Sequence, residues 1–321
     1  MFILLPILYL AIPCYNEEEV LLDSFQKLVN KYNQMIDNKK ISEKSKIVFI
    51  DDGSRDNTWE IIYKLSKDNV FAEGIKLSRN RGHQNALLCG LMTLIDSPAD
   101  AVISIDADLQ DDINVFDDMV DKFNDGCDIV YGVRSKRETD TFFKRFTAES
   151  FYKILDKMGA KVIFNHADFR LMSKRALEAL SEYKETNLFL RGMVPLIGYK
   201  TDIVTYERSE RLAGESKYPL KKMLAFAWEG ITSMSIQPIK FIIGFGVFNM
   251  FVGFALLIAT FFVGEIKPYF ALSALICWMA GLNMFFTGIV GQYVGKTYME
   301  VKRRPRYFVE KNTLKEDKNK K

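Results

Sequence analysis

The sequence predicts an α/β fold, built on a mostly parallel sheet with helices on both faces. Three observations predict it. Short apolar runs alternate with helix-period segments through the first two-thirds of the chain; acidic and glycine-bearing clusters follow the apolar runs; and two long uncharged stretches are confined to the C-terminal third. Alternation of strand-like and helix-like segments is the pattern of a parallel sheet. In such sheets ligands bind beyond the carboxyl ends of the strands. At 321 residues the chain can hold one sizeable domain and an appendage.

The elements follow in order. Residues 8–12 (LYLAI) form the first strand; the leading MFILLPILYLAIP has no basic flank and runs into PCYNEEE, so it reads as a buried strand and not as a signal peptide. Residues 17–34 are helical, with Val20, Leu21, Phe25, Leu28 and Val29 at helical spacing. Residues 46–50 are the second strand and 58–67 the second helix, with Asp56 or Asn57 as its cap. Strands over 74–77 and 101–105 flank a helix over 84–94, and 128–131 is a further strand ending at Gly132. Three clusters, at residues 13–17, 51–54 and 106–110, therefore stand at strand ends and should converge in one cleft.

The C-terminal third is different. Residues 241–263 and 268–295 carry no charge, and each exceeds the roughly 20 residues that a membrane-spanning helix needs. Gly264-Glu265-Ile266-Lys267 alone separates them, so they form a hairpin with both ends on one side. Lys221, Lys222 and Lys240 precede it, and Lys296, Lys302, Arg303, Arg304 and Arg306 follow it. By the positive-inside rule that side is cytoplasmic. Amphipathic segments with basic and aromatic residues (Phe142, Phe143, Lys144, Arg145 and Phe146 in one, Leu220 to Ile236 in the other) read as helices in the membrane interface. The domain plan is residues 1–218 cytosolic and catalytic, 219–238 interfacial, 239–296 a two-helix membrane hairpin and 297–321 a basic cytoplasmic tail. Gly244, Gly246, Gly253, Gly281, Gly288 and Gly291 offer close-packing faces, and a homo-oligomer is expected.

Bulk numbers exclude other classes. The net charge of +3 is too small to argue for nucleic acid. Cys14, Cys89, Cys127 and Cys277 have no paired spacing, which leaves no zinc site or disulfide framework and fits reduced thiols.

The acid-rich stretch SIDADLQDD, residues 104–112, sits directly behind the apolar run at 101–103. In an extended chain Asp106 and Asp108 project the same way, roughly 7 Å apart at the backbone. Two hard oxygen ligands at that spacing suit Mg²⁺ or Mn²⁺. A calcium loop of the EF-hand type is excluded, because Asp111 and Asp117 stand where it needs Gly and Glu. Asp111 and Asp112 read as a solvated turn before the next helix. In IDDGSRDNT, Gly53 permits a tight turn, and one of the two carboxylates can accept from a nucleobase or ribose.

Taken in order, PCYNEEE, DDGSRDNT, LSRNRGHQNALLCGL, DADLQDD, YGVR, ADFRLMSK, LRGMVPLIGYK, RLAGESKY and VGKTYMEVKRRPRY resemble family 2 glycosyltransferases of the GT-A fold. More closely, the set is similar to polyprenyl-phosphate glycosyltransferases, the branch of dolichol-phosphate mannose synthases and bactoprenol glucosyltransferases. One departure is DLQDD-Ile where that family commonly has DLQDPP, which bears on the stiffness of the turn. The resemblance implies that Pro13, Tyr15, Glu17 and Asp52 line the nucleoside pocket. It implies that Asp106, Asp108 and Gln110 hold the metal on the donor diphosphate. Arg134 with Lys144 or Arg145 would grip the acceptor phosphate, and Arg211, Ser216 and Lys217 would reach the diphosphate.

The reaction so implied is inverting, metal-dependent transfer of one hexose from a nucleotide sugar to undecaprenyl phosphate. UDP-glucose is the first donor and UDP-N-acetylglucosamine the second; a catalytically inactive scaffold that binds nucleotide sugar is the alternative of another class. Processive synthases with a Q-x-x-R-W motif are excluded, since none of Trp59, Trp228 and Trp278 follows an Arg. A phosphate monoester, with a second pKa of about 6, attacks without a general base. His83 and His166 accordingly read as structural, and Asp168 as either an orienting group or a buried partner of Arg170.

Overall fold

The computed structural model describes residues 5–135, 166–186, 188–207 and 268–316, together with isolated positions between 228 and 251. The chain divides into two compact units. The larger comprises residues 1–152, 161–217 and 305–321; the smaller comprises 153–160 and 218–304.

The larger unit is a mixed sheet. Its strands are β1 (Leu8–Cys14), β2 (Lys46–Asp51), β3 (Ala72–Leu77), β4 (Ala101–Ser104), β5 (Ile129–Arg134), β6 (His166–Ser173), β7 (Thr201–Tyr206) and β8 (Val309–Asn312). They lie side by side as β7-β5-β6-β4-β1-β2-β3-β8. The run β4-β1-β2-β3 is parallel, as is the pair β5-β7. β6 runs antiparallel between β4 and β5, and β8 runs antiparallel to β3. The sheet is therefore less parallel than the alternating pattern implies, because β6 and β8 run against their neighbours.

The helices are α1 (Leu21–Asp37), α2 (Thr58–Asp68), α3 (His83–Leu94), α4 (Phe116–Asn124), α5 (Lys174–Ser181) and α6 (Leu190–Leu196). Strand alternation sorts the core into two layers. Leu8, Leu10 and Ile12 of β1 with Ile47 and Phe49 of β2 pack with Phe25, Tyr32, Trp59 and Phe116. Tyr9, Ala11, Val48 and Ile50 face the other way, onto Leu87, Leu91, Leu177 and Leu190. β1, β2 and β4 thus bury both faces, which is why their apolar runs are continuous.

Local signals place the helix starts. Asp56 Oδ1 accepts from Thr58 N at 3.1 Å and Thr58 Oγ1 at 2.6 Å, so Asp56 supplies the cap of α2 and the Asn57 side chain does not. α1 begins at Leu21, after a turn in which Glu17 O accepts from Val20 N and Leu21 N. Gly53 has φ +65°, and a Cβ there would meet the backbone of Arg79 at 2.6 Å. Only glycine fits both constraints.

In the smaller unit, α7 (Pro268–Lys302) is one continuous helix of 35 residues, about 52 Å at its normal rise. Phe286 of α7 lies 5.4 Å from Phe245, ring to ring. Trp228 Nε1 donates to Gln292 Oε1 at 2.8 Å, and Lys296 Nζ to Thr232 Oγ1 at 2.8 Å. Among the described residues, no helix is long and apolar enough to cross a membrane. The side chains of 268–271, 273, 274 and 277, in the apolar first third of α7, lie outside those described, as does most of 241–263.

The basic C-terminal segment departs from expectation. The sequence reads as a basic tail over residues 297–321, disordered over 311–321. Instead α7 runs on to Lys302, Val309–Asn312 is the edge strand beside β3, and α8 (Thr313–Glu316) follows. Thr313 is buried; its hydroxyl donates to Glu73 Oε2 at 2.5 Å and accepts from Gly74 N at 2.9 Å. Charge composition marks this segment as solvated, but its backbone covers the otherwise open edge of β3. We predict that Thr313→Val, equal in volume but without the hydroxyl, destabilises the full-length protein by about 1–3 kcal/mol, the cost of leaving buried polar partners unpaired. A thermal-unfolding series in detergent checks this; a change within ~0.5 kcal/mol, as for surface positions, contradicts it.

Candidate active site

The three clusters anticipated at strand ends do meet. Pro13, buried at the end of β1, pairs in register with Ile50 of β2, and Asp52 N donates to Cys14 O at 2.9 Å. Beyond β1, Asn16 (φ +53°) donates its N–H to Ser54 Oγ at 3.0 Å and accepts from Arg55 N at 2.9 Å through its side chain. Glu17 N donates to Thr58 Oγ1 at 2.9 Å, and Glu18 Oε2 accepts from Asn57 N at 3.0 Å. The two loops are thereby fastened to each other, with the Tyr15 ring left exposed above them.

Of the paired acids after β2, Asp52 is engaged locally. Its Oδ1 accepts from Arg81 N at 2.7 Å and its Oδ2 from Gly82 N at 2.8 Å, which fixes the loop leading into α3. Asp51 accepts from Ser54 N at 3.0 Å through Oδ1, while its buried Oδ2 has no hydrogen-bond partner among the described residues. Burial pushes the carboxyls of both above the usual value, partly offset by these hydrogen bonds. Asp51 therefore holds an unsatisfied buried acceptor beside Asp52. A D-D pair in sequence does not say which member turns inward; only the strand register does.

The acid loop after β4 is a turn and not an extended run. Leu109 N donates to Asp106 O at 3.2 Å, and Leu109 itself has φ +45°. The alternating projection expected for Asp106 and Asp108 is thus replaced by a reversal of the chain. Asp108 Oδ1 accepts from Gln110 N at 3.3 Å, and the Gln110 side chain is buried. Asp106 has its carboxyl raised, first by desolvation and then by repulsion from Asp168, Asp111 and Asp108, against the attraction of His83.

Among the described residues, no group of three or more His, Cys, Asp or Glu could hold a metal ion. Two hard carboxylates, one of them destabilised as an anion by its neighbours, still fit a cation that takes its other ligands from a diphosphate and water, the usual habit of Mg²⁺. Asp106 and Asp108 are the residues that would hold it, with Gln110 behind them.

Asp168 resolves into a structural hub. Arg170 Nη2 donates to its Oδ1 at 2.6 Å and Arg191 Nη2 to its Oδ2 at 3.1 Å, with His83 Nε2 at 3.7 Å. Burial alone would raise this carboxyl, but Arg191, the His83 hydrogen bond and Arg170 together hold it well below the usual range. A carboxylate so held is a poor proton acceptor. His83, the first residue of α3, stands between the two acids, 3.6 Å from Asp106 Oδ1. Burial opposes its protonation; the Asp168 and Asp106 carboxylates outweigh this and raise its pKa. The His166 side chain lies outside the described residues.

Arg134 ends β5 as expected, and the structure adds two neighbours. Its Nη2 donates to Asp111 Oδ1 at 3.2 Å and its Nε to Tyr206 Oη at 3.2 Å. Asp111 was read as a solvated turn residue, yet only 3% of it is exposed. The correction has a physical cause: the turn at Leu109 swings Asp111 back under the sheet end, toward a guanidinium. Gly132 does not serve as a turn; it lies within β5, where a Cβ would meet Phe169 Cδ1 at 2.4 Å. Lys144, Arg145, Arg211, Ser216 and Lys217 lie outside the described residues.

The family model for glycosyl transferase family 2 matches residues 9–181, which carry the three strand-end clusters, Arg134 and Asp168 but not Arg191 or Tyr206. An uncharacterized glycosyltransferase of Bacillus subtilis, YkoT, is 49% identical over 95% of this chain and 91% of its own. A prophage bactoprenol glucosyl transferase homolog of Escherichia coli is 37% identical over 94% of this chain and 98% of its own. An SfII prophage-derived bactoprenol glucosyl transferase of Shigella flexneri is 38% identical, covering 94% and 97%.

Two substitutions separate chemistry from architecture at this site. Asp108→Asn should abolish turnover while leaving the unfolding temperature nearly unchanged, since it alters a partly exposed loop. Asp168→Asn should cost about 3–5 kcal/mol of stability, because it strips the counter-ion from the fully buried Arg170. Thermal unfolding and activity measured on the same two preparations check the contrast.

Proposed function

The chain belongs to glycosyltransferase family 2 and is a hexosyltransferase; from that premise we propose that it moves one hexose, with inversion, from a nucleotide sugar to polyprenyl phosphate. UDP-glucose is the first donor, undecaprenyl phosphate the acceptor and Mg²⁺ or Mn²⁺ the cofactor. The observation that carries this reading is the loop of acids after β4, with Asp106 and Asp108, whose Asp111 meets Arg134 at the end of β5, two strands with β6 between them. It is supported by similarity over nearly the full chain to relatives named bactoprenol glucosyl transferases.

The residues then divide the work. The nucleoside would lie between the Pro13–Glu17 loop and the Asp51–Gly53 turn, with Asp52 lining the pocket. The cation, held by Asp106 and Asp108, would neutralise charge developing on the departing diphosphate. Arg134, aided by Lys144 or Arg145, would bind the acceptor phosphate and direct one of its oxygens at the anomeric carbon. That oxygen forms the new bond as the bond to the nucleoside diphosphate breaks. The nucleophile is already anionic, so no side chain has to take a proton, in keeping with an Asp168 committed to two arginines.

The membrane elements belong to the same proposal. The uncharged stretches 241–263 and 268–295, the continuous helix α7 and the contact of Phe245 with Phe286 support a two-helix hairpin in a membrane. The Lys/Arg excess beside it supports a cytoplasmic catalytic face. A lipid-borne acceptor gives such an anchor its purpose, and self-association through the glycine faces is part of the reading.

Incubation with a panel of nucleotide sugars, including UDP-glucose and UDP-N-acetylglucosamine, tests the reaction. Nucleoside diphosphate should appear only when polyprenyl phosphate and a divalent cation are both present; release without the lipid, or none with any donor, contradicts it. Arg134→Ala should raise the acceptor KM or lower turnover at least about tenfold, with donor KM unchanged. Loss of donor affinity with normal acceptor kinetics would move Arg134 to the diphosphate.

A further inference from the structure

Three side chains from three separate elements close a ring around the base of Arg134. The Tyr206 hydroxyl, at the end of β7, donates to Asp111 Oδ1 at 2.7 Å. The same hydroxyl accepts from Arg134 Nε at 3.2 Å, and Arg134 Nη2 reaches the same Asp111 oxygen at 3.2 Å. A phenol has one proton. Placed between a guanidinium and a carboxylate, it must accept from the first and donate to the second, so the direction of each bond is fixed.

Packing holds the ring in place. Tyr206 is buried, and its aromatic ring stands edge-on to Phe169 at 5.2 Å, with Phe169 occupying the space that Gly132 leaves. Arg134 and Tyr206 are register partners in the parallel pair β5-β7. Immediately after β5, Ser135 N and Oγ both donate to Tyr206 O, at 2.8 and 3.0 Å. The backbone entering residues 136–165, which include Lys144 and Arg145, is thus tied to the same tyrosine. Asp111 is covalently part of the loop that carries Asp108 and Gln110.

We propose that Asp111 and Tyr206 are positioning residues that set the guanidinium plane of Arg134 and link it to the acid loop at the donor side of the cleft. Two of the five N–H donors of Arg134 serve the ring, which leaves the plane fixed before any ligand arrives. An anion meeting a pre-aimed guanidinium loses less freedom than one meeting a mobile side chain. Because Asp111 and Asp108 share one short turn, a shift of the acid loop on donor binding would be transmitted to the group that meets the acceptor. The inference rests on the assignment of Arg134 to the acceptor phosphate made above.

The test uses the full-length protein in lipid nanodiscs with polyprenyl phosphate as the titrant. Tyr206→Phe keeps the ring and its contact with Phe169 and removes only the hydroxyl. It should raise the acceptor KM about threefold or more, near the low end for loss of an ordinary hydrogen bond, while leaving the donor KM unchanged. In an Arg134→Ala background the same substitution should add nothing. Asp111→Asn should shift the acceptor KM in the same direction, and an unchanged unfolding temperature for Tyr206→Phe excludes a general loss of structure. A normal acceptor KM in Tyr206→Phe, beside a raised one in Arg134→Ala, overturns the positioning role and spares the acceptor assignment. A normal acceptor KM in Arg134→Ala overturns the assignment itself. Equal effects of Tyr206→Phe in both backgrounds, or parallel loss of donor and acceptor affinity, also overturn the proposal.

Discussion

The site depends on how mutual repulsion among carboxylates is managed at the ends of the strands. Asp108, Asp111 and Asp168 all raise the cost of ionising Asp106. Two of the four have cations built in beside them: Asp168 has Arg170 and Arg191, and Asp111 has Arg134. Asp106, whose nearest cationic group is a histidine at 3.6 Å, is where further positive charge lowers the energy most. In the proposed reaction, a divalent cation carrying a diphosphate would relieve that imbalance. The same imbalance explains why arginines, always charged and able to fork, fill the second rank.

The sheet makes this arrangement possible. Parallel β1, β2 and β4 deliver their following loops to one edge, and antiparallel β6 brings Asp168 and Arg170 in from the other direction. Backbone bonds then lock the loops before any ligand is present: Asp52 to the amides of Arg81 and Gly82, Asn16 to the 54–55 turn. The sum of these contacts is preorganisation, which matters most for a reaction that, like the one proposed, needs placement and charge stabilisation and no proton acceptor.

Much of this was legible in the sequence, and what was not has physical reasons. Continuous apolar runs disclosed β1, β2 and β4, since strands buried on both faces must be apolar throughout. The acid and glycine clusters disclosed the convergence of the loops. The direction of β6 was hidden, because antiparallel pairing leaves no mark when both faces are buried. β8 was hidden by composition: Val309-Glu310-Lys311-Asn312 looks solvated, and its contribution is backbone pairing plus a single buried hydroxyl at Thr313. Asp111 was misjudged because its burial comes from the turn at Leu109, where a positive φ in a residue with a side chain has no sequence signature. That Asp52, and not Asp51, fastens the loop into α3 likewise has no mark in the D-D pair itself.

The central claim is that an anionic lipid phosphate, met by Arg134, is itself the nucleophile. The most direct measurement offers the full-length protein two lipids that differ only in the head group, polyprenyl phosphate and the corresponding polyprenol, with UDP-glucose and Mg²⁺, and weighs the lipid products by mass spectrometry. Gain of one hexose by the phosphate lipid alone is the predicted result. Transfer to the polyprenol, or free hexose with neither lipid modified, would contradict it.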